Sequence, residues 1–390
     1  MTLGPRADRP VRVLHVSAML RSGGVERWLV DVVPAAQARG LAMDIALVQD
    51  KRGIFYDVAQ ARRIRVFDCP ATGGPWRFVA RLRRLLRARG PYDVVHAHLH
   101  AYSAFVVLAA WLEGVPARVV HPHNVLGNAS GPFGRRLYQT ATVPLIRRLA
   151  TGGLAPSAEA MADLLGPTWP ADPRWRVMSC GVDLREFCRP VSVTRADFGI
   201  PDGAFVMCTA GRLTTEKGHD LLVEVLPEVL ARRPDAYLLM IGEGPLREEL
   251  ERRAAEGGFR DRLLLAGTRT DVPDILRAVP DVFVFPSPPP PRGNEASPIA
   301  VVEAQVAGLP TVISDGVPSA AVVVPPLTRR LAFADGPARW ADAVLRHSAE
   351  CPPDARATAF ALARESDANI ERNVDVLTAT YGAGRVPRPT

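Results

Sequence analysis

The sequence predicts an α/β protein built from two doubly wound parallel sheets. Apolar runs of strand length alternate with amphipathic helical stretches along all 390 residues, the pattern of parallel sheets covered by helices on both faces. A single hydrophobic core stops growing at roughly 250 to 300 residues, so a chain of this length is expected to form two domains. Its 47% hydrophobic and 23% charged residues are typical of a packed, globular chain.

The first half contains six apolar segments that predict strands with helices between them. They cover residues 11–17, 42–48, 64–68, 93–96, 117–121 and 151–155. Residues 183–203 then lose this periodicity and gather proline and glycine, which predicts the junction between the domains.

The second half repeats the pattern. The segments AFVMCTAG, AYLLMIG, RLLLAG, DVFVFP, PTVIS and AAVVVP predict the strands of a second doubly wound domain, and a final helical stretch is expected at about 354–381. We therefore predict domains at residues 1–185 and 186–365. A C-terminal helix and tail at 366–390 would follow, with a return to the first domain left open.

Bulk properties narrow the class of protein. No stretch reaches the roughly 18 apolar residues that a membrane-spanning helix needs, and MTLGPRADRP lacks the apolar core of a secretory signal. Five scattered cysteines without metal-ligand spacing predict reduced thiols in a cytoplasm. The net charge of +7 favours an anionic partner such as a phosphorylated metabolite or a lipid surface. Nucleic acid is disfavoured because aromatics are only 6% and no binding motif appears.

A strand, a proline-rich loop and a short helix carry the most informative motif, FPSPPPPRGNEASPIAVVEAQVAGLPTVIS. Ser297 is predicted to cap the helix and Pro298 to be its first residue, with Gly308 ending it. The free amides of a helix N-terminus bind phosphate. Glu295 and Glu303 are placed to border this site, where carboxylates accept hydrogen bonds from sugar hydroxyls and ribose diols.

A second motif, GRLTTEKGHDLLVEVL, follows the strand AFVMCTA and opens a helix. Arg212 and Lys217 are predicted to project over the strand ends, where two cations bind a diphosphate and stabilise it as a leaving group. The lysine is followed by Gly218 rather than serine or threonine, so the motif is not an ATP-binding Walker loop.

A glycine pair, Gly23 and Gly24, separates the first strand from the first helix and permits close approach of a ligand to the backbone. A simple tight turn explains the pair equally well. The full dinucleotide fingerprint is missing, which disfavours a nicotinamide enzyme.

Histidines gather at predicted strand ends, in VVHAHLHAY (His96, His98, His100) and VVHPHNV (His121, His123). Alternation along a strand is expected to divide these side chains between opposite faces, and no carboxylate or cysteine accompanies them at ligand spacing. A metal site is therefore not expected.

The motifs GGVER, HPHN, CGVDLREF, GRLTTEKG and IGEGPLREEL, with Glu295 and Glu303 separated by seven residues, resemble those of the retaining glycosyltransferases of family 4. The resemblance covers most of the chain. It implies the GT-B fold, in which two Rossmann-like domains face a central cleft, the N-terminal one binding the acceptor and the C-terminal one the nucleotide-sugar.

The resemblance also implies roles for individual residues. Glu295 would contact hydroxyls of the donor sugar, Glu303 the nucleotide ribose, and Arg212 and Lys217 the diphosphate. His123 would face the reacting sugar. The remaining donor contacts would come from the phosphate side of the cleft and from the start of the Glu303 helix, at Gly23, Gly24, Ser297, Pro298, Ile299 and Ala300.

The activity implied is a metal-independent hexosyl transfer, with retention, from a UDP- or GDP-sugar to a hydroxyl acceptor. Exopolysaccharide, glycolipid and secondary-metabolite synthesis all fit it, and no cofactor is expected. Two departures affect the donor-sugar contacts: Ala296 replaces the usual glycine after Glu295, and the preceding loop is expanded by prolines and carries Asn294.

Several alternatives stay open. An epimerase or a phosphorylase of the same fold, or a catalytically silent sugar-nucleotide-binding partner subunit, would share the same motifs. Residues 123–136, HNVLGNASGPFGRR, are expected to line the acceptor side. The arginine-rich helix at 77–89 is expected to pack on its sheet with a solvated basic face, and peripheral contact with an anionic membrane is the alternative.

Overall fold

The computed structural model describes residues 9–21, 23–49, 53–125, 133–352 and 354–383. Two parallel sheets with helices packed on their faces make up this part of the chain. The predicted α/β architecture of two doubly wound domains is confirmed.

The first sheet is formed by the N-terminal half. Its strands are β1 (Val11–Ser17), β2 (Leu41–Leu47), β3 (Val66–Asp68), β4 (Val94–Ala97), β5 (Ala117–Val120), β6 (Gly152–Ala155) and β7 (Trp175–Val177). They lie in the order β3-β2-β1-β4-β5-β6-β7, all parallel. Its helices are α1 (Gly24–Gln37), α2 (Ile54–Ala61), α3 (Pro75–Arg89), α4 (Ser103–Leu112), α5 (Phe133–Leu149) and α6 (Ala158–Leu165).

The second sheet has six parallel strands. They are β8 (Val206–Ala210), β9 (Tyr237–Ile241), β10 (Leu263–Leu265), β11 (Val282–Phe285), β12 (Thr311–Ser314) and β13 (Thr328–Leu331). Their order is β10-β9-β8-β11-β12-β13. The helices are α7 (His219–Leu230), α8 (Arg247–Glu256), α9 (Val272–Ala278), α10 (Ile299–Val306) and α11 (Pro337–Ala349).

Two edge strands differ from the sequence-based prediction. The segment AAVVVP at 320–325 is not a strand: 3-10 turns cover Ser319–Ala321 and Pro325–Leu327, and the backbone between them is irregular. The prolines at 325 and 326 cannot donate to a sheet ladder. The edge strand is instead β13, whose middle arginines are exposed. Strand β7 was also missed, since only its first residue is buried. Edge strands lack the apolar runs that reveal central ones.

The C-terminal stretch predicted as one helix is two, α12 (Ala355–Glu365) and α13 (Ile370–Ala383). Helix α13 packs against α1 and the first sheet. Asn373 fixes this contact, because its Oδ1 accepts hydrogen bonds from Trp28 Nε1 at 2.9 Å and from the amide of Gly181 at 2.7 Å.

No helix in the described residues combines the length and the apolarity that crossing a lipid bilayer requires.

Candidate active site

A cavity of about 750 Å³ lies between the two sheets and is lined from both domains. The chain reaches it mainly at the carboxyl ends of parallel strands: residues after β1, β4 and β5 line one wall, and residues after β8, β9 and β11 line the other. Ligands of open parallel sheets bind at this edge.

The cavity gathers the complete set of predicted site residues. These are Gly23, Gly24, His123, Arg212, Lys217, Glu295, Ser297, Pro298, Ile299, Ala300 and Glu303. They come from segments as far apart in sequence as the first and tenth helices. Of the predicted acceptor segment, His123 and Asn124 line the cavity, whereas residues 126–132 lie outside the described part of the chain.

Lys217 and Glu295 form an ion pair at the cavity wall, joining Nζ to Oε1. Both side chains are largely shielded from solvent, and Lys217 also lies over the Phe285 ring, 5.7 Å from its centroid. The lysine charge is therefore compensated by the carboxylate, whereas Arg212 is exposed. The two predicted diphosphate ligands are electrostatically different.

Glycine is required where this lysine loop meets the next strand. Gly218 has φ +69°, and a Cβ added there would lie 2.0 Å from the carbonyl oxygen of Pro286. The close approach of the two backbones brings the Lys217 loop onto the end of β11, where the Glu295 loop begins.

The N-termini of α1 and α10 meet in the cavity. A Cβ added at Gly24, the first residue of α1, would lie 3.5 Å from the side chain of Ile299, the first residue of α10. The first amides of each helix have no intrahelical carbonyl partner, and both helix dipoles place partial positive charge here. The two ends can bind an anion together.

The start of α10 differs in detail from the prediction. Pro298, not Ser297, occupies the N-cap position, and no side chain caps the helix. The amide of Val301 bonds back to the carbonyl of Pro298 at 3.0 Å. Since the cap has no side-chain acceptor, the amides of Ile299 and Ala300 keep their donor capacity toward the cavity. The C-terminal end is as predicted, with Gly308 at φ +76° just beyond the helix.

Glu303 is buried, with 6% of its surface exposed. Burial raises its pKa to about 7, against the lowering effect of the Arg27 charge, and the nearby carboxylates of Asp31 and Glu186 raise it further. Glu303 is therefore not a solvated glutamate on the surface of α10. Glu303 instead changes charge near neutral pH inside the cavity wall.

Arg27 links the two walls and was not singled out from the sequence. Its Nε donates to Asp31 Oδ2 at 2.5 Å and its Nη1 donates to the carbonyl of Thr270, in the second domain, at 3.2 Å. Arg27 follows GGVE in the sequence and lies in the first turn of a helix that starts at Gly24. That position was the signal that could have placed it at the cavity.

Glu26 is a second residue that sequence reasoning missed. It lines the cavity in the first turn of α1, and a Cβ added at Gly23 would lie 2.4 Å from its Oε2. Burial raises its pKa, opposed by its own backbone hydrogen bond and by Arg212 and Arg21. The carboxyl group of Glu26 thus lies at the N-terminus of α1, next to Gly23 and Gly24.

His123 belongs to a group of five buried histidines, here called the histidine cluster: His15, His96, His98, His121 and His123. The expectation that these side chains divide between opposite faces was wrong. Positions two apart, such as 96 and 98, point to the same face of a strand, and their ring centroids are 4.4 Å apart. Of the five histidines in the two sequence motifs, only His100 lies outside the cluster, and its Nε2 lies 3.0 Å from a carboxylate oxygen of Asp163.

His123 is the member of this cluster predicted to face the sugar. It lines the cavity, yet its Nε2 lies 2.8 Å from His98 Nδ1 and its Nδ1 lies 3.9 Å from Cys180 Sγ. Burial lowers its pKa to about 3. The ring is therefore neutral, and hydrogen bonding within the protein orients it.

The basic helix α3 is packed as expected, burying Phe78, Val79, Leu82 and Leu86. Part of its positive charge is compensated, since Arg83 and Arg87 both pair with Glu113. Trp76 at its start is 71% exposed.

Two family models match the chain, one over strands β2–β7 of the first sheet and the other over the whole of the second sheet. Residues 22–186 match the model described as Glycosyltransferase Family 4, and residues 192–356 match Glycosyl transferases group 1. The chain belongs to the family 4 glycosyltransferases.

Individual relatives agree with this family assignment. The chain is 28% identical over 375 residues to the putative glycosyltransferase EpsF of Bacillus subtilis, covering 95% of this chain and 96% of EpsF. It is 25% identical over 319 residues to the UDP-Gal:alpha-D-GlcNAc-diphosphoundecaprenol alpha-1,3-galactosyltransferase of Escherichia coli, covering 78% and 79% of the two chains.

Solved structures agree with the fold of this family 4 member. HepE of Anabaena, crystallised with UDP and glucose, superposes with a TM-score of 0.75 at 18% identity, over 95% of this chain and all of HepE. The GT-B arrangement predicted from the motifs is confirmed.

Proposed function

We propose that this protein transfers a hexosyl unit from a UDP- or GDP-sugar to a hydroxyl acceptor, with retention of anomeric configuration and without a metal ion. The observation that carries the proposal is the meeting of the predicted donor-binding residues in one cavity between two Rossmann-like domains. The E. coli relative named for a UDP-Gal donor and the UDP complex of HepE support a nucleotide-sugar donor.

On the donor side, the diphosphate would lie where the N-termini of α1 and α10 meet. Arg212 supplies an exposed cation there, and the amides of Ile299 and Ala300 supply donors. Glu303 would accept hydrogen bonds from the ribose, and Glu295 from the sugar. Entry of the donor would then separate Lys217 from Glu295, freeing the ammonium group for the diphosphate.

The chemical step breaks the bond between the anomeric carbon and the diphosphate oxygen and forms a bond from that carbon to the acceptor oxygen. The leaving diphosphate takes up negative charge, which Arg212, Lys217 and the two helix N-termini stabilise. The proton of the acceptor hydroxyl passes to a diphosphate oxygen, so that both charge and atoms balance. The neutral ring of His123 would bound the sugar on the first-domain side.

The acceptor would lie against the first domain, beside His123 and Asn124. We place the reaction in exopolysaccharide, glycolipid or secondary-metabolite synthesis, in the cytoplasm. A lipid-linked acceptor would bring α3, with exposed Trp76, to the inner face of an anionic membrane.

A panel of UDP- and GDP-sugars, first ranked by thermal shift, tests the proposal. Transfer is measured as release of nucleoside diphosphate together with glycosylated product, with EDTA present. Arg212→Ala, Lys217→Met and Glu303→Gln should each reduce turnover strongly while the fold is kept. Arg346→Ala, at an arginine 66% exposed on α11, is the matched control.

Unchanged turnover in all three cavity variants would reject this site. Tight nucleotide binding without transfer to any acceptor would instead identify a silent partner subunit. Formation of an epimer or a sugar phosphate would identify the other two alternatives.

A further inference from the structure

Three imidazole rings of the histidine cluster, those of His15, His96 and His98, lie close together inside the protein. His15 and His96 are wholly buried and His98 is 8% exposed. Their ring centroids are separated by 5.0 Å (15 to 96), 5.2 Å (15 to 98) and 4.4 Å (96 to 98). Three imidazoles bound tetrahedrally through nitrogens at 2.0–2.1 Å would have centroids about 5 Å apart.

The ring nitrogens of these three residues converge. One donor atom from each lies within 4.8 Å of the others. His15 Nδ1 and His98 Nε2 are 2.9 Å apart, and His96 Nε2 is buried with no hydrogen-bond partner among the described residues. Buried polar atoms without partners are uncommon and call for a ligand or another explanation.

We propose that His15, His96 and His98 form a binding site for one divalent transition-metal ion of the zinc class. Three protein ligands leave a fourth position for water or another exchangeable ligand. This site is separate from the proposed transfer chemistry, in which no metal takes part.

The surroundings of the three rings support this assignment. A metal-bound histidine commonly donates its second N–H to a fixed acceptor. Here His96 Nδ1 lies 2.8 Å from Tyr381 Oη, His15 Nε2 lies 3.3 Å from Met43 Sδ, and His98 Nδ1 lies 2.8 Å from His123 Nε2. All three ligands thus have an acceptor on the side away from the convergent nitrogens.

The donor set fixes the class of ion. Three imidazoles without a carboxylate favour zinc, nickel, copper or cobalt over magnesium or manganese, which prefer oxygen ligands. The site would therefore not hold the hard cation that neutralises a diphosphate. Entry is available from the cavity, because His98 lines its wall.

Tag-free, chelator-treated protein titrated with Co²⁺ tests the site, since tetrahedral cobalt absorbs visible light. We expect one Co²⁺ per chain, displaced by Zn²⁺, and one Zn²⁺ per chain by elemental analysis. His96→Phe should abolish binding. Tyr381→Phe, which removes only a hydrogen-bond acceptor, should weaken it roughly 10- to 100-fold and guards against misfolding of the first variant.

Two matched variants complete the test. His100→Asn changes a neighbouring histidine that is bonded to Asp163 outside the cluster, and should leave binding unchanged. His121→Phe should also leave it unchanged. Loss of binding in His121→Phe but not in His96→Phe would assign the ion to His98, His121 and His123 and overturn the proposal. No binding of either ion at micromolar concentration would overturn it as well, whether or not glycosyl transfer is observed.

Discussion

The ammonium group of Lys217 donates to Oε1 of Glu295, so that the loop after β8 and the loop before α10 are joined at the cavity wall. The Glu295 side chain is only 5% exposed and that of Lys217 18%. Removing one partner of a buried pair leaves the other charge uncompensated. Each residue of the pair therefore neutralises the other, and a donor that binds to both must replace their contact.

Glu295→Gln should separate diphosphate binding from sugar binding. The variant releases Lys217, so binding of free UDP or GDP is expected to stay the same or tighten. Transfer should fall roughly 10- to 100-fold, because the sugar loses a charged hydrogen-bond acceptor. Calorimetry with the free diphosphate and measurement of kcat/KM check the two halves.

Glu216→Gln, in the Lys217 loop and absent from the cavity lining, is the control for this variant. If Glu295→Gln weakened diphosphate binding as much as transfer, a contact of Glu295 with the sugar would be refuted.

Stability should depend on pH through Glu303. Its pKa is raised in the folded state from the ordinary 4.5 to about 7, so the native protein binds this proton more tightly than the unfolded chain. The stability linked to Glu303 is therefore fully present below pH 4.5 and falls as the pH rises to 7. Glu303→Gln should remove this dependence, changing the wild-type-to-variant difference by up to about 3 kcal/mol between pH 4.5 and 8.

Urea unfolding at several pH values measures this difference, with the exposed Glu256→Gln as control. The donor KM of the wild type should also fall as the pH rises through 7, because the ionised carboxylate accepts ribose hydrogen bonds more strongly. A wild-type profile as flat as that of Glu303→Gln would show that this carboxyl does not titrate near neutrality.

Gly218→Ala should destabilise the protein more than an equivalent change elsewhere. Gly218 and Gly199 have nearly the same backbone angle, φ +69° and +68°, but a Cβ at 218 meets the Pro286 carbonyl at 2.0 Å and one at 199 meets nothing within 4 Å. Gly199→Ala should cost about 1–2 kcal/mol for the left-handed conformation alone.

Gly218→Ala adds the clash, so its melting temperature should be lower than that of Gly199→Ala, and donor binding should weaken because the Lys217 loop moves. Equal melting temperatures for the two variants would mean that the close approach at Pro286 is not rigid.

Membrane association through α3 should depend on Trp76 and Arg84, both exposed. Each basic residue near an anionic surface contributes about 1 kcal/mol. Arg84→Glu should therefore lower partition onto vesicles containing phosphatidylglycerol at least roughly tenfold, and Trp76→Ser should lower it further. Co-sedimentation measures the partition.

Arg346→Glu, at a 66% exposed position on α11, makes the same charge change in the second domain and should leave partition unaltered. Equal binding by all of these proteins would remove α3 from the proposal.

The sequence alone predicted the α/β architecture and eleven of the residues that line the cavity, but not Glu26 or Arg27. Central strands such as β1 and β8 are buried along most of their length, so their apolar runs are visible without any tertiary information. The motifs around Gly23, Lys217 and Glu295 mark turns where a strand ends and a helix begins. In a parallel sheet such turns all lie at the same edge, whatever the structure of the loops around them.

Only the tertiary structure decided which side chains interact and in what charge state. Three features depend on residues from different elements. They are the ion pair of Lys217 with Glu295, the burial that raises the pKa of Glu303, and the contact between the rings of His15 and His96. Periodicity reports the environment of one element at a time. Ion pairing and desolvation depend instead on distances between elements, which exist only once the chain has packed.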